Sequence, residues 1–225
     1  WRMASRTKLA DARHQAGQWS EAAAEFCAAE ALQQERQPQY PMLYSLQGFR
    51  YCDLLLSQKQ FQEVQLYAAQ TLQWEGERLL DIALDQLALG RAHLGLTRQT
   101  GTANEMFVQH LAQAADWLYR AVDGLRQAGH QEILPLGLLA RAEWARVAKQ
   151  FDQARRDLAE AFTIAERGEM RLHLADCYLE FARLSVATGD RDSARKAWET
   201  AKTMIEEMGY HRRDGEVAEL KQQLN

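Results

Sequence analysis

The sequence is poor in the residues that stop helices and in those that build redox or metal centres. Only three prolines occur in 225 residues, so few positions forbid a helix on backbone grounds. Cys27, Cys52 and Cys177 are an odd, widely separated set with no C-x-x-C pair. They fit reduced core thiols better than a disulfide framework or a zinc site. No apolar run approaches the roughly 20 residues that cross a bilayer, and Trp1-Arg2-Met3-Ala4 lacks the apolar stretch of a signal peptide. The expectation is a cytoplasmic protein without membrane contact. A concentrated charge of one sign is missing too: the net charge is -4 and the pI near 5.9, which argues against a nucleic-acid surface. A start at Trp1 without an initiator methionine predicts a piece of a longer protein, with other modules outside it.

What is present is a soluble, helix-forming composition, 47% hydrophobic and 26% charged, and an internal periodicity. Ala10, Ala22 and Ala29 are spaced by twelve and then seven residues, as are Ala142, Ala154 and Ala161, and Ala182, Ala194 and Ala201. In a helix, turn, helix unit this spacing puts one small residue on the first helix and two on the second, where antiparallel backbones must approach closely. Repetition of such a unit predicts a helical solenoid without a globular boundary. Cys52, Val64 and Thr71 take the same places in a degenerate second unit. Gly90, Ala114 and Ala121 take them in a third, where the first gap is twenty-four residues instead of twelve. The additional stretch, LTRQTGTANEMF, predicts a loop and helix N-cap at Gly101, Thr102 and Asn104, with both flanking helices lengthened. Gly17 and Gly189-Asp190 mark turns, and Gly168 and Gly209 mark helix C-termini. After Gly209, Asp214 is a candidate N-cap, and Val217, Leu220 and Leu224 share one face of a closing helix. Trp19, Phe61 and Phe151 open second helices, and Phe26, Leu118, Leu158 and Trp198 follow in the helix core. Tyr40, Tyr44 and Tyr51 crowd the start of one helix.

These units resemble tetratricopeptide repeats, through the small residues and the aromatic that precedes the second of them: Trp19 with Ala10, Ala22 and Ala29, Phe61 beside Val64, and Phe151 with Ala142, Ala154 and Ala161. The period is nearer forty than 34 (Ala154 to Ala194), and the proline after the second helix is mostly missing. Longer, proline-poor repeats of this kind resemble those in the sensor ends of bacterial STAND-type signalling ATPases and related activators. The resemblance implies an all-α, right-handed solenoid of about five helix pairs over residues 1–38, 39–76, 77–130, 131–168 and 169–209, with a capping helix over 210–225. It also implies a non-catalytic domain that takes a protein or peptide in a concave groove lined by the first helices, with a change in superhelical curvature passed to an attached effector. Carried over position by position, the groove candidates are Lys8, Asp11 and His14; Phe49, Arg50 and Asp53; Arg91; Glu143 and Arg146; and Asp176, Glu180 and Arg183. Phe49, Arg50, Asp53, Arg91 and Arg183 are the favoured contacts with a polypeptide of mixed charge. Arg50 with Asp53, and Glu180 with Arg183, lie one helical turn apart and are positioned to pair locally.

Catalytic chemistry has little support. Gly95, and Gly101 followed by Thr102, lack the lysine and preceding strand of a phosphate loop. His173 and Cys177 lie four apart beside Asp176 and Glu180, but a zinc site needs three or four ligands. The remaining histidines, His14, His93, His110, His130 and His211, are scattered. No metal, cofactor or nucleic acid is expected. Self-association is the alternative function: in NEMFV, Met106 and Phe107 either sit on a surface loop and mediate assembly, or fold back to lengthen the core, and the fold-back is preferred.

Overall fold

The computed structural model describes residues 2–74, 76, 78–100 and 104–224, which leaves Trp1, Gly101 and Thr102 outside the described residues. The regular structure of those residues is all helical, with no strand among them. The helices are α1 (Arg2–Gln15), α2 (Trp19–Arg36), α3 (Ser45–Ser57), α4 (Phe61–Leu72), α5 (Leu79–Thr97), α6 (Glu105–Ala128), α7 (Leu134–Val147), α8 (Phe151–Arg167), α9 (Arg171–Thr188), α10 (Arg191–Met208) and α11 (Asp214–Leu224), which follows a single 3-10 turn, His211–Arg213. Each expected segment from 1–38 to 169–209 thus holds two helices, and 210–225 holds the closing one. The contacts gather them into two compact units, Trp1–Ala128 with α1 to α6 and Gly129–Asn225 with α7 to α11.

One turn geometry recurs and explains where helices stop. A residue in the left-handed region is followed by one with φ between -82° and -88° and ψ between 53° and 82°, and the next helix begins immediately. Gly17, Lys59, Lys149, Glu169, Gly189 and Gly209 hold the left-handed place, just ahead of Trp19, Phe61, Phe151, Arg171, Arg191 and His211. In each turn the amide between them donates back five residues, as Gln18 does to Arg13 at 2.9 Å, Gln60 to Leu55 at 2.9 Å and Gln150 to Ala145 at 2.7 Å. This six-to-one closure satisfies a carbonyl that the helix end leaves without a partner. Gly168 stands at the C-terminus of α8, as expected, with φ -90°, and the left-handed residue of this turn is its neighbour Glu169 at φ 51°. At the last full turn Asp190 adds a side-chain cap, its carboxylate accepting from the Ser193 amide at 3.0 Å. Hydrogen bonds from the Ser193 side chain and then from its amide hold the Asp190 carboxyl below its ordinary range.

The small residues lie where helices close on each other. Ala10, Ala22, Ala29, Ala142, Ala154, Ala161, Ala182, Ala194 and Ala201 are all fully buried. Cys52, Val64, Thr71, Ala114 and Ala121 are buried as well, as is Gly90 on α5. A Cβ on Gly90 would stand 2.7 Å from the Leu118 side chain of α6, and one on Gly124 would stand 2.9 Å from the Ala83 Cβ, so the α5–α6 pair has no room for a larger residue there. The additional residues do lengthen this pair, to 19 residues in α5 and 24 in α6. Asn104 opens α6, its side-chain oxygen accepting from the Met106 amide at 3.0 Å. Within the first unit α1 packs on α3 and α3 on α5; within the second α7 packs on α9 and α9 on α11. In the second unit Leu179, Ile205, Tyr210 and Leu220 form one buried cluster, with Trp198 and Val217 packed against it.

Some side chains depart from expectation. Cys52 and Cys177 are buried but Cys27 is exposed: Phe26 carries the core face of α2, and the next position turns away from it. Trp19 opens α2 as expected yet remains 37% exposed. Met106 is 44% and Val108 64% exposed, so the start of α6 does not fold these side chains into the core; Phe107 alone is half-buried.

Lys149, at φ 58°, carries the strain that glycine avoids at the equivalent place in Gly17. Lys149→Gly is expected to stabilise the protein by about 0.5 kcal/mol, the left-handed penalty of roughly 1 kcal/mol less the extra chain entropy of glycine. Chemical denaturation measures it, with Lys149→Ala as the variant that brings no gain.

Candidate functional site

The candidates on α1, α3 and α5 form a row of ion pairs between successive first helices. Arg50 on α3 reaches back to Asp11 on α1, Nε to Oδ2 at 3.1 Å. Arg91 on α5 reaches back to Asp53 on α3, Nη2 to Oδ1 at 2.7 Å. The pairing of Arg50 with Asp53 within α3 is therefore replaced by two contacts across helices, since each guanidinium reaches the neighbouring helix. His14 joins this row from beneath: its ring is fully buried, Nε2 lies 2.9 Å from the Ser57 hydroxyl, and Nδ1 is 3.9 Å from Asp53 Oδ2. Gln15 donates to the other Asp11 oxygen at 2.8 Å. Lys8 is exposed on α1. Phe49 is buried and belongs to the core of the unit, not to an accessible lining. Arg50 and Arg91 keep 26% and 21% of their side chains exposed, which leaves the row partly open to an incoming group.

The second unit carries a denser network on α7, α9 and α11. Arg146 donates to Glu180 at 2.6 Å, and Arg183 donates to Glu180 at 3.3 Å, the one-turn pair expected from the sequence. Arg183 also donates to Glu216 on α11. Arg213 donates to Glu216 and grips Asp176 with two bonds, at 2.7 and 2.9 Å. Tyr210 donates to the same carboxylate at 3.2 Å. Asp176 and Glu180 are buried, so these two candidates serve the interior of the network and cannot line an open groove. Glu143 adds its charge to the surroundings of Arg183. Burial alone would discharge these groups, but Glu216, Glu180 and Glu143 more than offset it for Arg183, whose proton affinity is raised. Against the same burial, Arg213 and then Arg183 hold the Glu216 carboxyl well below the usual carboxylate range.

Several interacting residues escaped the sequence reading. Arg141 on α7 and Asp157 on α8 form a buried two-pronged pair, at 2.8 and 2.7 Å, completed by Gln153 on the same carboxylate at 2.9 Å. Asp81 accepts from Ser45 at 2.5 Å. His93 on α5 and His110 on α6, which look unrelated in sequence, meet with their Nδ1 atoms 3.1 Å apart, and Gln65 on α4 touches the same His93 ring. Burial, and then His110, lower the His93 pKa to about 4. The signal for this cluster lay in the additional residues of the third unit, which bring His110 level with His93. Burial pushes the Cys177 thiol up, with Asp176 and Glu180 adding to it; it is the opposite of an activated ligand thiol. Among the described residues no three His, Cys, Asp or Glu side chains converge as a metal centre would require. No described helix is long and apolar enough to cross a membrane. A surface depression of about 400 Å³ lies over the α7–α8 turn, lined by Lys149 to Gln153 with Arg155 and Arg156; none of the groove candidates borders it.

No protein-family model matches the chain, and a comparison with curated proteins returns no match.

The depressed Glu216 carboxyl sets a pH dependence. Its proton affinity is lower folded than unfolded, so its contribution is fully present above the ordinary carboxylate pKa of about 4.3 and is lost as pH falls below it. Urea midpoints measured between pH 3 and pH 6, a window of roughly that range, should fall with pH in the native chain and fall less steeply in Glu216→Gln.

Proposed function

We propose that this chain is a non-catalytic recognition domain, a tetratricopeptide-like helical solenoid that binds a polypeptide along the face of its first helices. The observation that supports the reading most is the row formed by Asp11, Arg50, Asp53 and Arg91. It sets alternating charges on adjacent helices, partly exposed and held in fixed positions by each other. Guanidinium groups held in this way lose little further freedom when a ligand replaces or joins their partners. A polypeptide with both acidic and basic side chains can exchange pairs with the row without leaving a charge unpartnered, whereas a ligand of one sign cannot. Lys8 lies on the same helix as Asp11 and adds a solvent-facing cation.

On the resemblance to the sensor regions of bacterial signalling ATPases, the larger protein would be a cytosolic signalling or defence factor, with ligand capture shifting the curvature of the helical array and so the state of an attached effector. A second reading, assembly of the chain with copies of itself, is favoured by one observation, the exposure of Met106 and Val108 at the start of α6. Sedimentation velocity separates it from the first, since dimers would grow with concentration and be lost when Met106 and Val108 are made polar.

The main reading is tested by affinity capture with the chain as bait, in parallel with a double Arg50→Ala, Arg91→Ala variant. A polypeptide retained by the native chain should be released by the variant while far-UV circular dichroism stays unchanged, with a loss of about tenfold or more for interface arginines. Retention that survives both substitutions would contradict the reading.

A further inference from the structure

The second helices of the second unit carry a charge pattern that their packing does not call for. Asp152-Gln153-Ala154-Arg155-Arg156 on α8 recurs forty residues later as Asp192-Ser193-Ala194-Arg195-Lys196 on α10. The alanine is buried in both, and the two cations that follow it are exposed in both. In the first unit the residues after the equivalent small position are Ala23-Ala24, Gln65-Leu66 and Ala115-Asp116. Close helix packing thus asks for the small residue and leaves the next two places open. Turns of two or three residues join α7 to α8, α8 to α9 and α9 to α10, and each helix packs on the next. α8 and α10 therefore run in the same direction and begin at the same end of the unit.

That end is strongly cationic. From Lys149 to Arg156 and from Gly189 to Lys196 the six cations Lys149, Arg155, Arg156, Arg191, Arg195 and Lys196 face only Asp152, Asp190 and Asp192, in a chain whose net charge is -4. The helix macrodipole favours carboxylates at a helix N-terminus, so cations placed there add to the positive potential instead of cancelling it. Internal pairing neutralises little of it. Arg155 meets Asp152 at 3.0 Å, Arg156 donates to the neutral Gln153 at 2.7 Å, and Asp190 is engaged by the Ser193 amide. Lys149, Arg191 and Arg195 have no carboxylate partner among the described residues. The surface depression of about 400 Å³ over the α7–α8 turn lies at this end, lined by Phe151 as well as by Lys149, Arg155 and Arg156.

We propose that this end of the second unit, at the starts of α8 and α10, docks an acidic segment of a partner polypeptide, rich in aspartate or glutamate. Charge complementarity supplies the attraction. A polypeptide fits better than a nucleic acid, because the carboxylates set among the cations need donors. The Asp152 side chain is 87% exposed; a peptide offers it backbone N–H groups, whereas a phosphodiester backbone brings it like charge. Half-buried Phe151 adds an apolar contact in the depression. This surface shares no residue with the row of Asp11, Arg50, Asp53 and Arg91, and docking here is independent of a ligand there.

The test is fluorescence anisotropy of a labelled oligo-glutamate peptide titrated with the chain, with a labelled oligothymidylate of equal charge as the rival ligand. Both are measured at about 0.15 M salt, where exposed charges are screened beyond roughly 8 Å. The peptide should bind saturably, and more tightly as the salt is lowered. The double charge reversal Arg156→Glu, Arg195→Glu, at exposed positions, should weaken binding about tenfold or more. Its unfolding temperature should be kept or raised, since carboxylates suit a helix N-terminus. Arg120→Glu on α6 and Arg171→Glu at the opposite end of the second unit, both exposed, should leave binding unchanged, as should the Arg50→Ala, Arg91→Ala variant. The proposal is overturned if the peptide shows no saturable binding at this salt, or if binding survives the double charge reversal. It is overturned equally if the Arg120, Arg171 or Arg50 and Arg91 substitutions weaken binding as much, or if the oligothymidylate binds as tightly as the peptide.

Discussion

The arrangement depends on how closely the helices of each pair approach. Where Ala10, Ala22 and Ala29, or their counterparts, meet, the side chains are small and buried, and at Gly90 there is no room even for a methyl group. A pair closed this tightly is thin. Successive first helices can then pack on one another, as α1, α3 and α5 do, close enough for an arginine on one to reach a carboxylate on the one before. The charged row is a consequence of the small residues, and it would be broken by bulk introduced far from any charge.

This geometry also decides what the charges do. An arginine on an isolated helix would pair within its own helix or with water, yet Arg50 and Arg91 pair across helices. The same arrangement in the second unit lets Asp176 and Glu180 be buried, because Arg213, Arg146 and Arg183 supply the compensation that a buried carboxylate requires. The closing helix α11 balances the arginines in turn. Glu216 meets Arg183 and Arg213, and Trp198 of α10 donates to the Val217 carbonyl at 2.9 Å. The helix therefore covers apolar surface and closes a charge network with the same few residues.

The helical architecture was legible because it rests on features with a fixed period. The alanine spacing located the buried positions, and the aromatic openings at Trp19, Phe61 and Phe151 coincide with the starts of α2, α4 and α8. The turns were read through glycine, which found Gly17, Gly189 and Gly209 but missed Lys59, Lys149 and Glu169, since those side chains adopt the left-handed region only because the helices on either side demand it. The candidate site was legible in part. Sequence position placed Asp11, Arg50, Asp53 and Arg91 on adjacent helices. It could not tell Phe49, His14, Asp176 and Glu180, which are buried, from their half-exposed neighbours, because burial there depends on which helix lies across them. The His93–His110 contact was hidden for a related reason: it joins residues on two helices whose register is set by the length of the additional segment.

Arg50 and Arg91 are each joined to a carboxylate on the first helix before their own. A double-mutant cycle on Asp53 and Arg91, read as unfolding free energies at low and high salt, tests this most directly. A coupling of about 0.5–1 kcal/mol at low salt that shrinks near 1 M salt is the predicted result for a partly exposed pair. Additive single effects at low salt would contradict it, and would mean that the two helices are held by apolar packing without the charged row.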